Sequence, residues 1–326
     1  MLIAGLAALT LAGFAGVVVL SYGVEALRPR PSTPASLFWR AGVAIGHANL
    51  GGIGVRYIKA GSGPNLVLLH TLRTQCEIFQ KVIPTLAERF TVYAYDYPGH
   101  GWSDIPKAAY APEDFYRWTA AFLDALDIQD ASLVGISIGG TISLVLAARR
   151  NPRIARVVAV NPYDYAPAGG IRKSSLVARL ILGPADVPMP GATLMRLRNR
   201  LVSDAIMEGG VADPDALPRA LKKELYDVGT RRGHYQAFLS LLAHERLWFE
   251  ARSEYPLISI PTLLVYGQRD WAPDALRRQN QALIPGTTLT AIEGGGHFLS
   301  LDRPDEFTRA IVRFVTEARP AASTSV

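Results

Sequence analysis

Cysteine is nearly absent from this chain: Cys76 is the only one in 326 residues. No intrachain disulfide can form, and a thiolate metal cluster is excluded. The six histidines include no His-x-x-x-His pair and no Cys/His pairing of the kind zinc sites use, so no metal is expected. Lys and Arg outnumber Asp and Glu, 34 to 28. The cations are scattered, however, and no basic run is interleaved with aromatics, which argues against a nucleic-acid partner. An anionic membrane surface or nonspecific basicity explains the excess. No internal repeat is present.

Charge is missing altogether from Leu2 to Leu20, "LIAGLAALTLAGFAGVVVL". About 20 apolar residues suffice to cross a bilayer core, so residues 1–27 are expected to form a transmembrane anchor, with residues 1–24 in contact with lipid. The alternative is a secretory signal with a small-residue cleavage site, "VEA", before Leu27. Against it, no Lys or Arg precedes the apolar run. Arg28, Arg30 and Arg40 follow that run, which favours a cytoplasmic catalytic body. Cleavage would instead export it. A proline-broken linker is expected over 28–50, and a frayed tail over 319–326.

The body shows the rhythm of an α/β protein. Short apolar runs, "LVLLH" (66–70), "TVYAYD" (91–96), "ASLVGI" (131–136) and "RVVAVN" (156–161), read as strands buried on both faces. Helical patterns lie between them, one predicted over 75–89. The alternation stops over 163–255, where amphipathic pieces and prolines predict a helical insertion. It resumes with "PTLLVYG" (261–267) and "TLTAIEG" (288–294), followed by a last helix with Phe307, Ala310, Ile311 and Phe314 on one face. The expected division is therefore 51–162, first part of the core; 163–255, cap; and 256–318, second part of the core.

Chemistry-bearing residues fall at strand ends, where α/β sheets build their sites. Ser137, in "GISIG", stands between a strand and a helix; Asp270 follows the strand "LLVYG"; His297 follows the last strand in "EGGGHFLSLDRP". A serine hydroxyl needs a base, and the base needs a partner to fix its tautomer. The order Ser, Asp, His, each after a different strand, together with "DYPGHGWS" (96–103), "GQRD" and "GGHFLSLDRPDEF", resembles the α/β-hydrolase superfamily from about 51 to 317.

That resemblance implies a mostly parallel sheet with helices on both faces, an inserted cap and no cofactor. It implies Ser137 as nucleophile, His297 as base and Asp270 as the orienting acid. The backbone N–H groups of Ile138 and Leu72 become the oxyanion donors. Thr71 replaces the glycine usual after His70, and a β-branched residue resists glycine's backbone angles. Asp164 is an alternative acid, since some members carry theirs there. His70 is expected to orient the loop, His100 to be structural and Cys76 to fill a small apolar space. His70, Thr71, Trp102 and Phe298 are candidate pocket residues. His234 and His244 are expected to be packed or solvent-facing. Arg196, Arg198 and Arg200 read either as a solvated face or as a receptor for an acidic head group. Relatives that cleave epoxides or carbon–halogen bonds carry aspartate at the nucleophile position, which Ser137 excludes. Hydrolysis of a lipophilic carboxylic ester is the default reading. Carbon–carbon hydrolysis, acyl transfer or perhydrolysis would use the same triad, and a non-catalytic binding protein would retain only the fold.

Overall fold

A computed structural model describes residues 2–29, 32–40, 43–165, 169–173, 176–183 and 187–317, with the side chains of 2–10, 173 and 188 excepted. The tail expected over 319–326 and Arg30 lie outside the described residues. Eight strands form one sheet: β1 (Ala44–Asn49), β2 (Gly54–Ala60), β3 (Asn65–Leu69), β4 (Thr91–Tyr95), β5 (Ala131–Ile136), β6 (Ile154–Val160), β7 (Thr262–Gly267) and β8 (Thr288–Ile292). Their order is β1-β2-β4-β3-β5-β6-β7-β8. β1–β2 and β2–β4 pair antiparallel, and every later pair is parallel. The continuous apolar runs have a physical cause, because every residue of β5 and of β7 is buried.

Two expectations need correction. The linker expected over 28–50 contains β1, so the sheet begins at Ala44. The helix expected over 75–89 is broken: a 3₁₀ turn covers Cys76–Phe79, and only one α turn, α2 (Ile83–Leu86), follows it. Pro84 suits the start of that turn and no helix interior.

After β4 come α3 (Pro112–Ala125) and, directly after β5, α4 (Ile138–Ala148). α4 is buried on all sides, which its run "IGGTISLVLAA" requires. Between β6 and β7 lies the cap: α5 (Leu176–Leu182), α6 (Pro188–Arg196), α7 (Arg200–Glu208), α8 (Arg219–Gly229), α9 (His234–Ala243) and α10 (Glu245–Glu250). The core closes with α11 (Asp274–Leu283), α12 (Leu299–Asp302) and α13 (Pro304–Glu317), whose Phe307, Ile311 and Val315 are buried.

The first helix, α1 (Leu2–Ala26), runs for 25 residues. Among the described residues no helix is long and apolar enough to cross a membrane, so the crossing expected from the sequence is not supported. The end of α1 is joined to the cap instead. Glu25 accepts from Arg198 Nη1 at 2.7 Å and from the Gly233 N–H at 2.8 Å, while Arg28 donates to the carbonyls of Arg196 and Arg198. Arg196 donates to Ser21 Oγ and stacks over Tyr22. Arg196 and Arg198 are therefore buried and not a solvated face; only Arg200 is exposed.

Beneath the loop after β4 lies a buried ion triad. Arg56 grips Glu77 with two nitrogens, at 2.9 and 2.7 Å, and Asp96 with Nε at 2.8 Å. Asp96 also accepts from the N–H groups of Cys76 and Trp102. Burial is the largest single influence and would raise the Asp96 acid, but the Arg56 guanidinium, His70 and the hydrogen bonds from Cys76 and Trp102 together outweigh it and hold the group below the usual range. Removing one member strands the opposite charge. Asp96→Asn should therefore destabilise the fold by about 3–5 kcal/mol in urea titrations; a loss below about 1 kcal/mol would show that the triad is not what pins this loop.

Candidate active site

β5 delivers Ser137 into a turn so sharp that its backbone sits at φ 59°, ψ −119°. A non-glycine residue held there carries about 1–3 kcal/mol of strain and persists only when its surroundings enforce it. Here they do. The Ser137 N–H donates to the Val160 carbonyl at 2.9 Å, and its carbonyl accepts from the N–H groups of Thr141 and Tyr163. The flanking glycines have a steric cause: a methyl at Gly135 would strike the Gly139 carbonyl, and one at Gly139 would strike the Leu69 carbonyl. Ile138 opens α4, so its N–H lies among the unpaired donors of a helix N-terminus.

Asp270 and His297 meet at the ends of β7 and β8. His297 Nδ1 lies 2.6 Å from Asp270 Oδ1, and Asp270 Oδ2 accepts from the Ala272 N–H at 2.9 Å. The Tyr165 hydroxyl also donates to Asp270. A proton on Nδ1 facing the carboxylate leaves Nε2 as the basic nitrogen. Ser137 Oγ and His297 Nε2 are both buried and have no hydrogen-bond partner. A buried hydroxyl oxygen and a buried imidazole nitrogen, both unsatisfied, are an expense that a purely structural serine and histidine would avoid.

The second donor loop follows β3. His70 Nδ1 donates to the Thr71 carbonyl (2.7 Å), and Nε2 accepts from the Tyr97 N–H (3.2 Å). With both nitrogens engaged and burial lowering its pKa to about 4, His70 stays neutral and holds the loop. The Thr71 carbonyl also accepts from Thr74 Oγ1. Thr71 needs no glycine angle, because the positive φ of this loop falls on Arg73 (57°). The Leu72 N–H donates to no backbone carbonyl among the described residues.

Other expected residues find different settings. Trp102 Nε1 donates to Glu224 of α8 at 2.8 Å, tying the β4 loop to the cap. Phe298 is buried beside the His297 ring and packs onto Gly210. His100 is buried among the rings of His70, Tyr97, Phe115 and His234, and its Nδ1 pairs with the Pro98 carbonyl. His234 is buried; His244 is half-buried and pairs with the Ser240 carbonyl. Cys76 is buried, and burial pushes its thiol well up, so it is no nucleophile at neutral pH.

Sequence reasoning missed three supports. Asn161 Nδ2 donates to the carbonyls of Gly296 and His297, and its Oδ1 accepts from the Gly267 N–H, which ties the histidine loop to two strand ends. Trp271 stacks on the His297 ring at 3.9 Å and 16°. Asp302 accepts from the N–H groups of Ala212 and Gly296, joining cap and histidine loop. The signals were present as an Asn ending "VVAVN" and a Trp directly after Asp270.

The profile of the alpha/beta hydrolase family matches residues 66–310. The chain belongs to that family. Among curated proteins it is similar to an uncharacterised protein of Mycobacterium tuberculosis, 29% identical over 276 residues, 80% of this chain and 78% of the relative. It is also similar to haloalkane dehalogenase 2 of the same species, 28% identical over 264 residues, 79% and 90% of the two chains. Among solved structures, a bacterial membrane phospholipase A superposes with a TM-score of 0.71 at 24% identity, covering 98% of this chain and 97% of its own. This last likeness is one of fold.

Asp164, the alternative acid, makes no bond to His297. Its Oδ2 accepts from Tyr255 and Asn280, and its Oδ1 has no partner. Burial raises its pKa from 3.8 to about 6, against the pull of those two donors. A folded pKa above the unfolded one means stability is greatest below about 3.8 and falls as pH rises towards 6, by roughly 3 kcal/mol. Asp164→Asn removes that fall. Its stability relative to the natural protein should improve by up to about 3 kcal/mol between pH 4 and pH 8 in urea titrations; a difference that does not change with pH rejects this account.

Proposed function

We propose that this family member is a serine hydrolase of carboxylic esters. The observation that carries the reading is the pair of buried, unpartnered atoms, Ser137 Oγ on its strained turn and His297 Nε2 on a ring bound to Asp270. In the proposed reaction Ser137 Oγ attacks the ester carbonyl carbon while His297 Nε2 takes its proton. Asp270 fixes the tautomer and stabilises the charged ring. The carbonyl oxygen becomes an oxyanion, held by the N–H groups of Ile138 and Leu72. The alcohol leaves with the proton from His297, and water, activated by the same nitrogen, releases the acid and restores Ser137. His70 and Thr71 shape the donor loop, Phe298 lies beside the base, and Trp102 links this region to the cap. Resemblance to a haloalkane dehalogenase does not bring that reaction here, because the elbow carries serine in place of aspartate.

A lipophilic substrate is favoured by exposed apolar side chains on the cap, Leu176 and Leu180 of α5, Met189 of α6 and Leu201 of α7. Attachment to a membrane through α1, with the catalytic body on the cytoplasmic side, belongs to the same proposal. Its support is the apolar, exposed surface of Leu11, Val19 and Leu20 on α1.

Two experiments test these readings. A fluorophosphonate probe should label the full chain and fail on Ser137→Ala, and Ser137→Ala and His297→Ala should each lose about 10⁴-fold or more in kcat/KM on a p-nitrophenyl ester. A folded, unlabelled natural protein would rule out the hydrolase. For attachment, Val17→Lys with Leu20→Lys keeps the Glu25 joint and should release the protein from membranes sedimented at neutral pH, since both positions belong to the exposed apolar surface of α1 that a surface-lying helix would bury in lipid. Retention of the double variant would overturn attachment through α1.

A further inference from the structure

Inside the cap, α5, α6 and α7 enclose a cavity of about 210 Å³. Its walls are largely apolar, with Ile181, Leu194, Val202 and Ile206 among them, and two guanidinium groups, Arg73 and Arg198, line it. The two differ. Arg198 is satisfied: Glu25 takes Nη1, and the carbonyls of Met195, Gly229 and Arg231 take its other donors. Arg73 is 7% exposed, and the one side-chain hydrogen bond it makes among the described residues, to Ser203 Oγ, is long at 3.4 Å. No carboxylate among the described residues pairs with it. Its remaining contact of note is with the face of the Phe238 ring, 5.3 Å away.

A buried guanidinium without an acid is costly, and a second cation nearby adds to the cost. Burial, with Arg198 next in effect, lowers Arg73 to about 10, so the group stays charged at neutral pH. The backbone contributes as well, since Arg73 takes the positive φ of its loop, turning its side chain into the cap one residue after Leu72. Several independent features thus place an uncompensated cation at an apolar cavity beside the loop of the proposed oxyanion donor.

We propose that this cavity is a subsite for an anionic group, a carboxylate or phosphate carried on a short apolar arm of the substrate, with Arg73 as its receptor. The planar guanidinium suits two oxygens of such a group, and Ser203 Oγ offers a third donor. The ester hydrolysed at Ser137 would then be an amphiphile, with its reactive carbonyl at the N-terminal end of α4 and its charge in the cap. This inference rests on the hydrolase reading for the reaction and on the cavity alone for binding.

The test uses p-nitrophenyl hemiesters of succinic, adipic and suberic acids, each paired with its methyl-capped diester, and a matching ester ending in phosphate. The full chain should prefer one anionic member to its neutral partner by about 10-fold or more in kcat/KM. Whether carboxylate or phosphate wins names the source. Arg73→Met should bring that ratio to about one, Arg73→Lys should keep part of it, and Val202→Trp, which fills the cavity, should lower it. A ratio of one in the natural protein, or an unchanged ratio in Arg73→Met, overturns the proposal. Calorimetry with adipate and with hexyl phosphate on Ser137→Ala separates the two readings. Binding that is lost when Arg73→Met is added supports the subsite even if the probe never labels Ser137; no binding of either anion overturns it even if Ser137 is labelled.

Discussion

The crossing of β5 into α4 at Ser137 is the constraint on which the rest of the site depends. A left-handed backbone at a serine survives only under compression, and here it is supplied from two neighbouring strands. β6 takes the Ser137 N–H through Val160, and the end of β3 presses the Leu69 carbonyl onto Gly139. The same contact sets how closely the two proposed oxyanion donors approach. Gly139 can approach β3 because it lacks a Cβ, so α4 begins beside the loop of His70, Thr71 and Leu72. The two proposed donors belong to segments held together by a steric fit rather than by hydrogen bonds to one another.

The strands also solve the problem of bringing distant residues together. Asn161 stands just past β6 and bonds to Gly267 at the end of β7 and to the carbonyls of Gly296 and His297 after β8. One amide therefore spaces three strand ends. With Trp271 stacked on the ring and Asp270 on Nδ1, the imidazole is fixed in plane, in tilt and in tautomer. Nε2 is the one position left to react. Such over-determination is what preorganised catalysis asks of its supporting residues.

The parallel strands, the cap and the residues of the elbow, acid turn and histidine loop were legible because each rests on local pattern: continuous apolar runs, glycines at fixed offsets, strand ends. What escaped reading depends on partners far away in the chain. β1, "AIGHAN", carries no apolar alternation, since it is a half-exposed edge strand, and Gly46 is needed only because the Tyr57 ring of β2 crosses it. Arg198 reads as a surface cation until its partner is known, and that partner, Glu25, lies 173 residues earlier. The helix expected over 75–89 fails at Pro84, which opens the single turn Ile83–Leu86 and cannot continue a helix begun at Cys76. Thr71 looked like an obstacle because the strained position was assigned to it, whereas the chain moves the strain two residues on, to Arg73.

That shift links the loop to the cap. Had the positive φ stayed at residue 71, the chain would have left β3 by another path and the Arg73 side chain would not have turned upward. The cap is fastened to the core at places that all bear on the site: Asp302 grips Ala212 and Gly296 together, Trp102 meets Glu224, and Arg231 donates to the carbonyls of Gly101 and Ser103. A cap held in this way does not hinge freely over the sheet. α1 enters the same assembly through Glu25, so a force on the first helix reaches Arg198, and with it the cavity wall, before it reaches the sheet. The apolar N-terminal helix is therefore mechanically part of the cap, and its joint at Glu25 bears on the Arg198 wall of the cap cavity.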